Sequence, residues 1–191
     1  MNDRRRTPHW LAGRVARGLA LFFLFWLGAA VQAETRDPDQ HFFDQTLGDL
    51  REELEHARAS GKKGVLIMFE MDECPFCHRM KTTVLNRPEV QDYFKANFLL
   101  FPLDTEGDVE ITDFQGETTA QKDLALKKYR VRATPVFAFF DLDGNLVARY
   151  TGATKDPQEF LWLGEYVVAG AYKEQDFTRF KREKQQGPAK N

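Results

Sequence analysis

Residues 65–78 read Val-Leu-Ile-Met-Phe-Glu-Met-Asp-Glu-Cys-Pro-Phe-Cys-His. Val65 to Phe69 is a continuous apolar run of five that follows a turn at Gly61–Gly64. A run of that kind fits a strand buried on both faces. From Pro75 to Leu85 a helix is expected, with Cys77, Met80 and Val84 on one face. Pro75 falls in its first turn, where a missing N–H leaves no hydrogen bond unmade. A strand therefore delivers Cys74 to the start of a helix, and the other elements are read outward from that junction.

Upstream, Leu47, Leu50, Leu54 and Ala57 recur at helical spacing until Gly61 and Gly64 stop the run. Residues 34–41 read as a polar, mobile lead-in. Downstream, Pro88 and Glu89 open a helical stretch carrying Val90, Tyr93, Phe94 and Phe98, and Leu99–Leu103 is a second buried strand. The acidic stretch 104–117 reads as a solvated surface insertion. A third helix is expected from near Thr118, with Leu124, Leu126 and Tyr129. Val136–Phe140 and Leu146–Tyr150 flank an Asp-Gly turn and predict a β-hairpin whose phenylalanines are core. Asp156-Pro157-Gln158-Glu159 starts a last helix with a cap, a first-turn Pro and an acidic residue; it carries Phe160, Leu163 and Val167 and ends at Gly170. Residues 173–191 are a polar tail, and those after Phe180 have no reason to fold. Strands alternating with helices, then a hairpin and a helix, predict an α/β domain with a mixed sheet and helices on both faces over residues 42–172.

The chain has 191 residues, 42% hydrophobic and 29% charged, which excludes wholesale disorder and a polytopic membrane protein. Arg4, Arg5, Arg6, Arg14 and Arg17 precede a 13-residue apolar run, Leu19–Val31, too short to span about 30 Å of hydrocarbon comfortably. With Val31-Gln32-Ala33 as a cleavage site, residues 1–33 read as a secretory signal peptide. The alternative is an uncleaved anchor that tethers the domain to the inner membrane. Cleavage would remove five Arg and one Asp, leaving 22 basic and 28 acidic residues and a net charge of −6. Nucleic acid is not expected as a partner.

Cys74 and Cys77 are the only cysteines. Outside the cytosol disulfides persist, yet so short a loop constrains little of the unfolded chain and makes a poor structural staple. The helix N-terminus and the nearby His78, Arg79 and Lys81 favour a thiolate at Cys74. Asp72 and Glu73 oppose it. Cys77, one turn along, reads as the more buried, resolving thiol. Phe76 cannot be buried behind the motif and reads as docking surface.

The strand–Cys-Pro-Phe-Cys–helix, the Ala133-Thr134-Pro135 segment before a strand, the Asp-Gly hairpin and Gly152 together resemble the thioredoxin superfamily. The Phe69-Glu70 lead-in, Cys-Pro-Phe-Cys-His and the Tyr166-Val167, Gly170 and Tyr172 ending look most like exported thioredoxins of bacterial sulfur-oxidation operons. They are also similar to the C-terminal domain of the inner-membrane thiol:disulfide interchange reductase. The resemblance implies a thioredoxin fold and a periplasmic thiol–disulfide oxidoreductase that needs no cofactor beyond a redox-active Cys74–Cys77 pair. It implies a cis Pro135 against the cysteines and Thr134 holding an extended substrate segment; Pro75 and Phe76 are expected to dock that segment from the motif itself. A protein disulfide is the implied substrate, reduced with electrons from a membrane thiol-reductant transporter. Two departures stand out. The buried Asp that cytosolic thioredoxins carry six residues before the first cysteine is Met68 here, and their Trp beside that cysteine is Glu73. Glu70 and Glu73 become the candidates for proton transfer.

Three other readings compete. The same pair could run as a disulfide oxidase. Cys-x-x-Cys-His also matches a c-type haem attachment site, against which stand the β-rich surroundings. A copper site would combine both cysteines with His78 or Met71, but two sulfurs without a second cluster make no tight site, and no metal is expected. His9, His41 and His56 read as solvent-facing bystanders.

Overall fold

The computed structural model describes residues 34–187; the expected signal peptide, with His9, lies outside them. In chain order the elements are α1 (Pro38–His41), α2 (Leu50–Ala59), β1 (Gly64–Glu70), α3 (Pro75–Thr83), α4 (Pro88–Asn97) and β2 (Phe98–Asp104). There follow β3 (Glu110–Thr112), β4 (Thr118–Ala120), α5 (Gln121–Asp123), β5 (Val136–Phe140), β6 (Leu146–Thr151), α6 (Pro157–Val168) and α7 (Phe177–Gln186). The main sheet runs β2-β1-β5-β6. β1 pairs parallel with β2 and antiparallel with β5, and β5 pairs antiparallel with β6. The mixed sheet, the helices on both faces and the closing hairpin and helix are as the sequence predicts.

The central strands are apolar throughout because each face meets a separate cluster. Leu66 and Met68 of β1, with Phe137 and Phe139 of β5, pack against α3, α4 and α6. Val65, Ile67 and Phe69, with Val136, Ala138 and Phe140, pack against α2 and the turn at Leu124 and Ala125. Period-two alternation thus divides one hydrophobic run between two cores. On the first face Phe94 of α4 stacks on Phe160 of α6 with ring centroids 4.4 Å apart, and Phe137 meets Phe160 edge-on at 4.8 Å. These rings fix where α6 lies over the sheet.

Six expectations are corrected. Leu47 lies outside α2 and is fully exposed. Asp49 accepts hydrogen bonds from the N–H groups of Arg51 and Glu52, so the cap starts the helix at Leu50. The acidic stretch 104–117 is not a solvated insertion. It contains β3, whose partner is β4, and buries Ile111 and Phe114. Asp113 organises its turn, accepting from the N–H groups of Gln115 and Glu117 at 2.8 and 3.0 Å and from Lys128. The helix expected from Thr118 is three α-helical residues followed by a π-turn, Leu124–Lys128; β4 takes up 118–120, and Leu126 faces solvent.

The lead-in is tied down rather than loose. The Arg36 N–H donates to Asn86 O at 2.8 Å, and Phe42 and Phe43 are buried. The tail folds as well. Asp176 caps α7, Phe177 packs on Tyr150 and Tyr166, and Phe180 packs on Tyr166. Lys181 pairs with Glu159 and Lys184 with Glu165, both at 2.6 Å, so the basic run has carboxylates to meet. α3 itself stops at Thr83, two residues short of the expected end.

Candidate active site

β1 ends at Glu70, and four residues later Cys74, in extended conformation, is the N-cap of α3. Its Sγ accepts a hydrogen bond from the Cys77 N–H at 3.0 Å. The two cysteines are joined in a disulfide, with Cα atoms 5.2 Å apart. Cys77 is 3% exposed and Cys74 6%, so both are nearly enclosed and what attacks or is attacked must approach along one side. On that side the segment before β5 closes in. Thr134 Oγ1 donates to Cys74 Sγ at 3.2 Å, and the Thr134–Pro135 peptide bond is cis. The Gly152 N–H donates to Pro135 O at 2.8 Å, which pins this segment to the loop after β6. Pro75 occupies the first turn of α3, and Phe76 stands 58% exposed beside the disulfide.

Behind the pair lies a pocket of about 270 Å³ lined by Glu70, Met71, Asp72, Cys74, Cys77, His78, Lys81 and Asp104. Lys81 Nζ sits 3.0 Å from a Glu70 oxygen and 3.1 Å from an Asp39 oxygen. Burial pushes the Glu70 carboxyl above its ordinary value, with Lys81 pulling the other way and the Asp39 and Asp104 charges adding to the rise. Burial works against the Lys81 ammonium, but its hydrogen bonds to Glu70 and Asp39 outweigh it, and its pKa rises. Strand end and helix terminus thus bring together a disulfide, a largely buried carboxyl group and its counter-ion.

Of the three cations expected around Cys74, two line the pocket. Arg79 instead donates to the carbonyls of Thr154 and Lys155 at 3.3 and 3.1 Å, tying α3 to the loop before α6. The two candidate acids also separate. Glu70 faces the pocket from the end of β1, whereas Glu73 is exposed and takes no part in its wall. Met68, where an acid stands in cytosolic thioredoxins, is fully buried among apolar side chains. His41 is exposed, and His56 pairs with Glu53 at 3.2 Å on α2. Three features escaped the sequence reading: the Thr134 hydroxyl on the sulfur, the double pairing of Lys81, and Asp39. Only Lys81 carried a sign, lying four residues beyond Cys77 and so over the same helical face.

A vicinal dithiol held this way exchanges two electrons with another disulfide, and with this fold around it the protein is a thiol–disulfide oxidoreductase. The chain belongs to the thioredoxin-like domain family, whose sequence profile matches residues 50–168. No curated protein shows significant sequence similarity to it. Among solved structures it is similar to a protein from Bacteroides thetaiotaomicron proposed to be a disulphide isomerase. They share 26% identity at a TM-score of 0.52, over 75% of this chain and 99% of that one. A thioredoxin-fold protein from Helicobacter pylori aligns at 23% identity and a TM-score of 0.51, over 64% of this chain and 80% of the other. The Neisseria meningitidis DsbD C-terminal domain aligns at 20% identity and a TM-score of 0.45, over 59% and 88% of the two chains.

Proposed function

We propose that the protein is exported to the periplasm and there reduces disulfides in other proteins. The observation that carries this reading is the Cys74–Cys77 disulfide at the start of α3, with the Thr134 hydroxyl on the Cys74 sulfur. In the reduced form the Cys74 thiolate attacks one sulfur of the substrate disulfide. That S–S bond breaks, a Cys74–substrate bond forms, and the other substrate sulfur leaves as a thiolate. The Cys77 thiol then passes its proton to the Glu70 carboxylate across the shared pocket and attacks Cys74 Sγ. The second substrate sulfur leaves as a thiolate, and Cys74–Cys77 is oxidised. Two electrons have moved from protein to substrate. Thr134 and Pro135 hold the substrate chain in line, and Pro75 and Phe76 supply apolar contact. The likeness to a protein proposed as a disulphide isomerase favours a protein disulfide over a small-molecule one.

Export is argued from the arginines and the apolar run before Ala33. Because the periplasm is held oxidising, net reduction requires a dithiol donor, and a membrane thiol-reductant transporter supplies one. Two experiments test the scheme. Cys77→Ser in the exported protein should accumulate a dithiothreitol-sensitive adduct with a disulfide protein such as insulin, while Cys74→Ser forms none; no adduct with Cys77→Ser refutes the attack sequence. A reduction potential near about −270 mV fits a reductase, whereas one near about −120 mV reverses the direction to disulfide insertion.

A further inference from the structure

We propose that Asp39, carried on the N-terminal strap of residues 34–43, is a positioning residue for the redox centre. By sharing the Lys81 ammonium with Glu70, it sets how firmly Lys81 holds Glu70 and so the pH at which Glu70 can take the Cys77 proton. This deepens the proposed function and rests on the proton-accepting role of Glu70.

The strap is held on both sides of Asp39. Upstream, the Arg36 N–H donates to Asn86 O at 2.8 Å, Gln91 Nε2 donates to Arg36 O at 3.0 Å, and the Arg36 guanidinium meets Asp92 at 2.8 Å. Downstream, Phe42 and Phe43 are buried in the core beneath α3 and α4. Between these anchors α1, capped by Asp37, carries Asp39 to Lys81. The Lys81 ammonium lies 5.4 Å from the centre of the Phe43 ring as well, so strap and redox helix meet at this one cation. A second cleft, between the strap and α3, is lined by Asp37, Asp39, His78 and Lys81 and shares the last two with the redox pocket.

The charge balance gives the contact its consequence. Lys81 from α3, Asp39 from α1, Asp104 from β2, and Asp72 and His78 of the pocket wall are the titratable groups facing Glu70. Among the described residues Lys81 is the only Lys or Arg lining that pocket, since Arg79 is turned to the Thr154 and Lys155 carbonyls. One ammonium therefore serves two carboxylates. Asp39 adds like charge near Glu70 and takes a share of Lys81, and both effects make Glu70 hold its proton more tightly. The side chain of Glu70 is 18% exposed and that of Lys81 25%, but that of Asp39 is 63% exposed, so solvent screens its share of the contact and its effect on Glu70 is a fraction of a pH unit.

The test is the pH profile of insulin-disulfide reduction by the full protein, driven by dithiothreitol. Asp39→Asn should move the acid limb down by about 0.5 pH unit, the scale of a partly exposed pair. Lys81→Met should move it up, and Asp39→Glu should restore the parent profile. In a Glu70→Gln background, Asp39→Asn should shift nothing. If Glu70→Gln leaves the acid limb in place, the proton-transfer reading falls, and this inference falls with it. If Glu70→Gln removes the limb but Asp39→Asn leaves it unmoved, the proposed function stands and the role of Asp39 is overturned. An equal shift by Asp39→Asn in the Glu70→Gln background overturns it too, because the strap then acts elsewhere.

Discussion

Replacing Thr134 with Val keeps the side chain's shape and removes the hydroxyl that donates to Cys74 Sγ at 3.2 Å. A hydrogen bond to a charged acceptor contributes about 1.5–3 kcal/mol. Thr134 is only half-buried, which places this one just below that range, at about 1.4 kcal/mol. The Cys77 N–H at 3.0 Å and the start of α3 remain in the variant, so the thiolate loses part of its support rather than all of it. One pKa unit corresponds to about 1.36 kcal/mol, so the Cys74 thiol should titrate about one unit higher. The same free energy enters the redox couple, because the bond favours the reduced, charged form over the neutral disulfide. About 1.4 kcal/mol is about 30 mV for two electrons, and the potential of Thr134→Val should fall by that amount. Thiolate absorbance against pH, with iodoacetamide alkylation rates as a second readout, gives the pKa. Equilibration with glutathione gives the potential. A variant that folds normally yet titrates at the parent pH would refute the argument, since the hydroxyl would then have left the sulfur on reduction.

Two further predictions concern the fold that holds the site. A Cβ at Gly64, the first residue of β1, would lie 2.0 Å from the Phe140 carbonyl oxygen of β5. Gly64→Ala must therefore push apart the two central strands, and a loss of at least about 2 kcal/mol is expected in urea unfolding. Burial alone would raise the Asp113 carboxyl, but hydrogen bonds from Lys128 and the Glu117 and Gln115 N–H groups, with the Lys128 charge, bring it below its ordinary value. A lowered carboxylate stabilises the fold above its unfolded pKa and loses that contribution as pH falls through its folded one. Asp113→Asn should thus lower the urea midpoint at pH 7 and reduce the loss of stability below about pH 4. An unchanged acid limb in the variant would show that other carboxylates govern it.

The parts of the fold legible in the sequence are those whose cause is local. The apolar runs of β1 and β5, the Pro that opens α3, the Asp-Gly turn and the Asp156 cap each depend on neighbouring residues, and each appears where its pattern places it. The misread segments take their stability from distant partners. Ile111 and Phe114 are buried because α2 and β5 lie over them, and an acidic stretch by itself looks solvated. α7 carries two phenylalanines in a basic run, a pattern too sparse to demand a helix until Tyr150, Tyr166 and Glu159 offer it a surface.

The site divides along the same line. Sequence alone determined that the two sulfurs stand one helical turn apart after a buried strand, with a Thr-Pro segment further on, because those relations are matters of spacing and backbone preference. Tertiary structure decided which groups meet the sulfurs. Thr134 reaches Cys74 across 60 positions of chain, and Lys81 gathers Glu70 and Asp39 from 11 and 42 positions away. Arg79, closer to Cys74 in the chain than Lys81, is spent on two carbonyls. Charge acts through distance in space, and only the packing of the strap and the Thr-Pro segment against α3 makes those distances short.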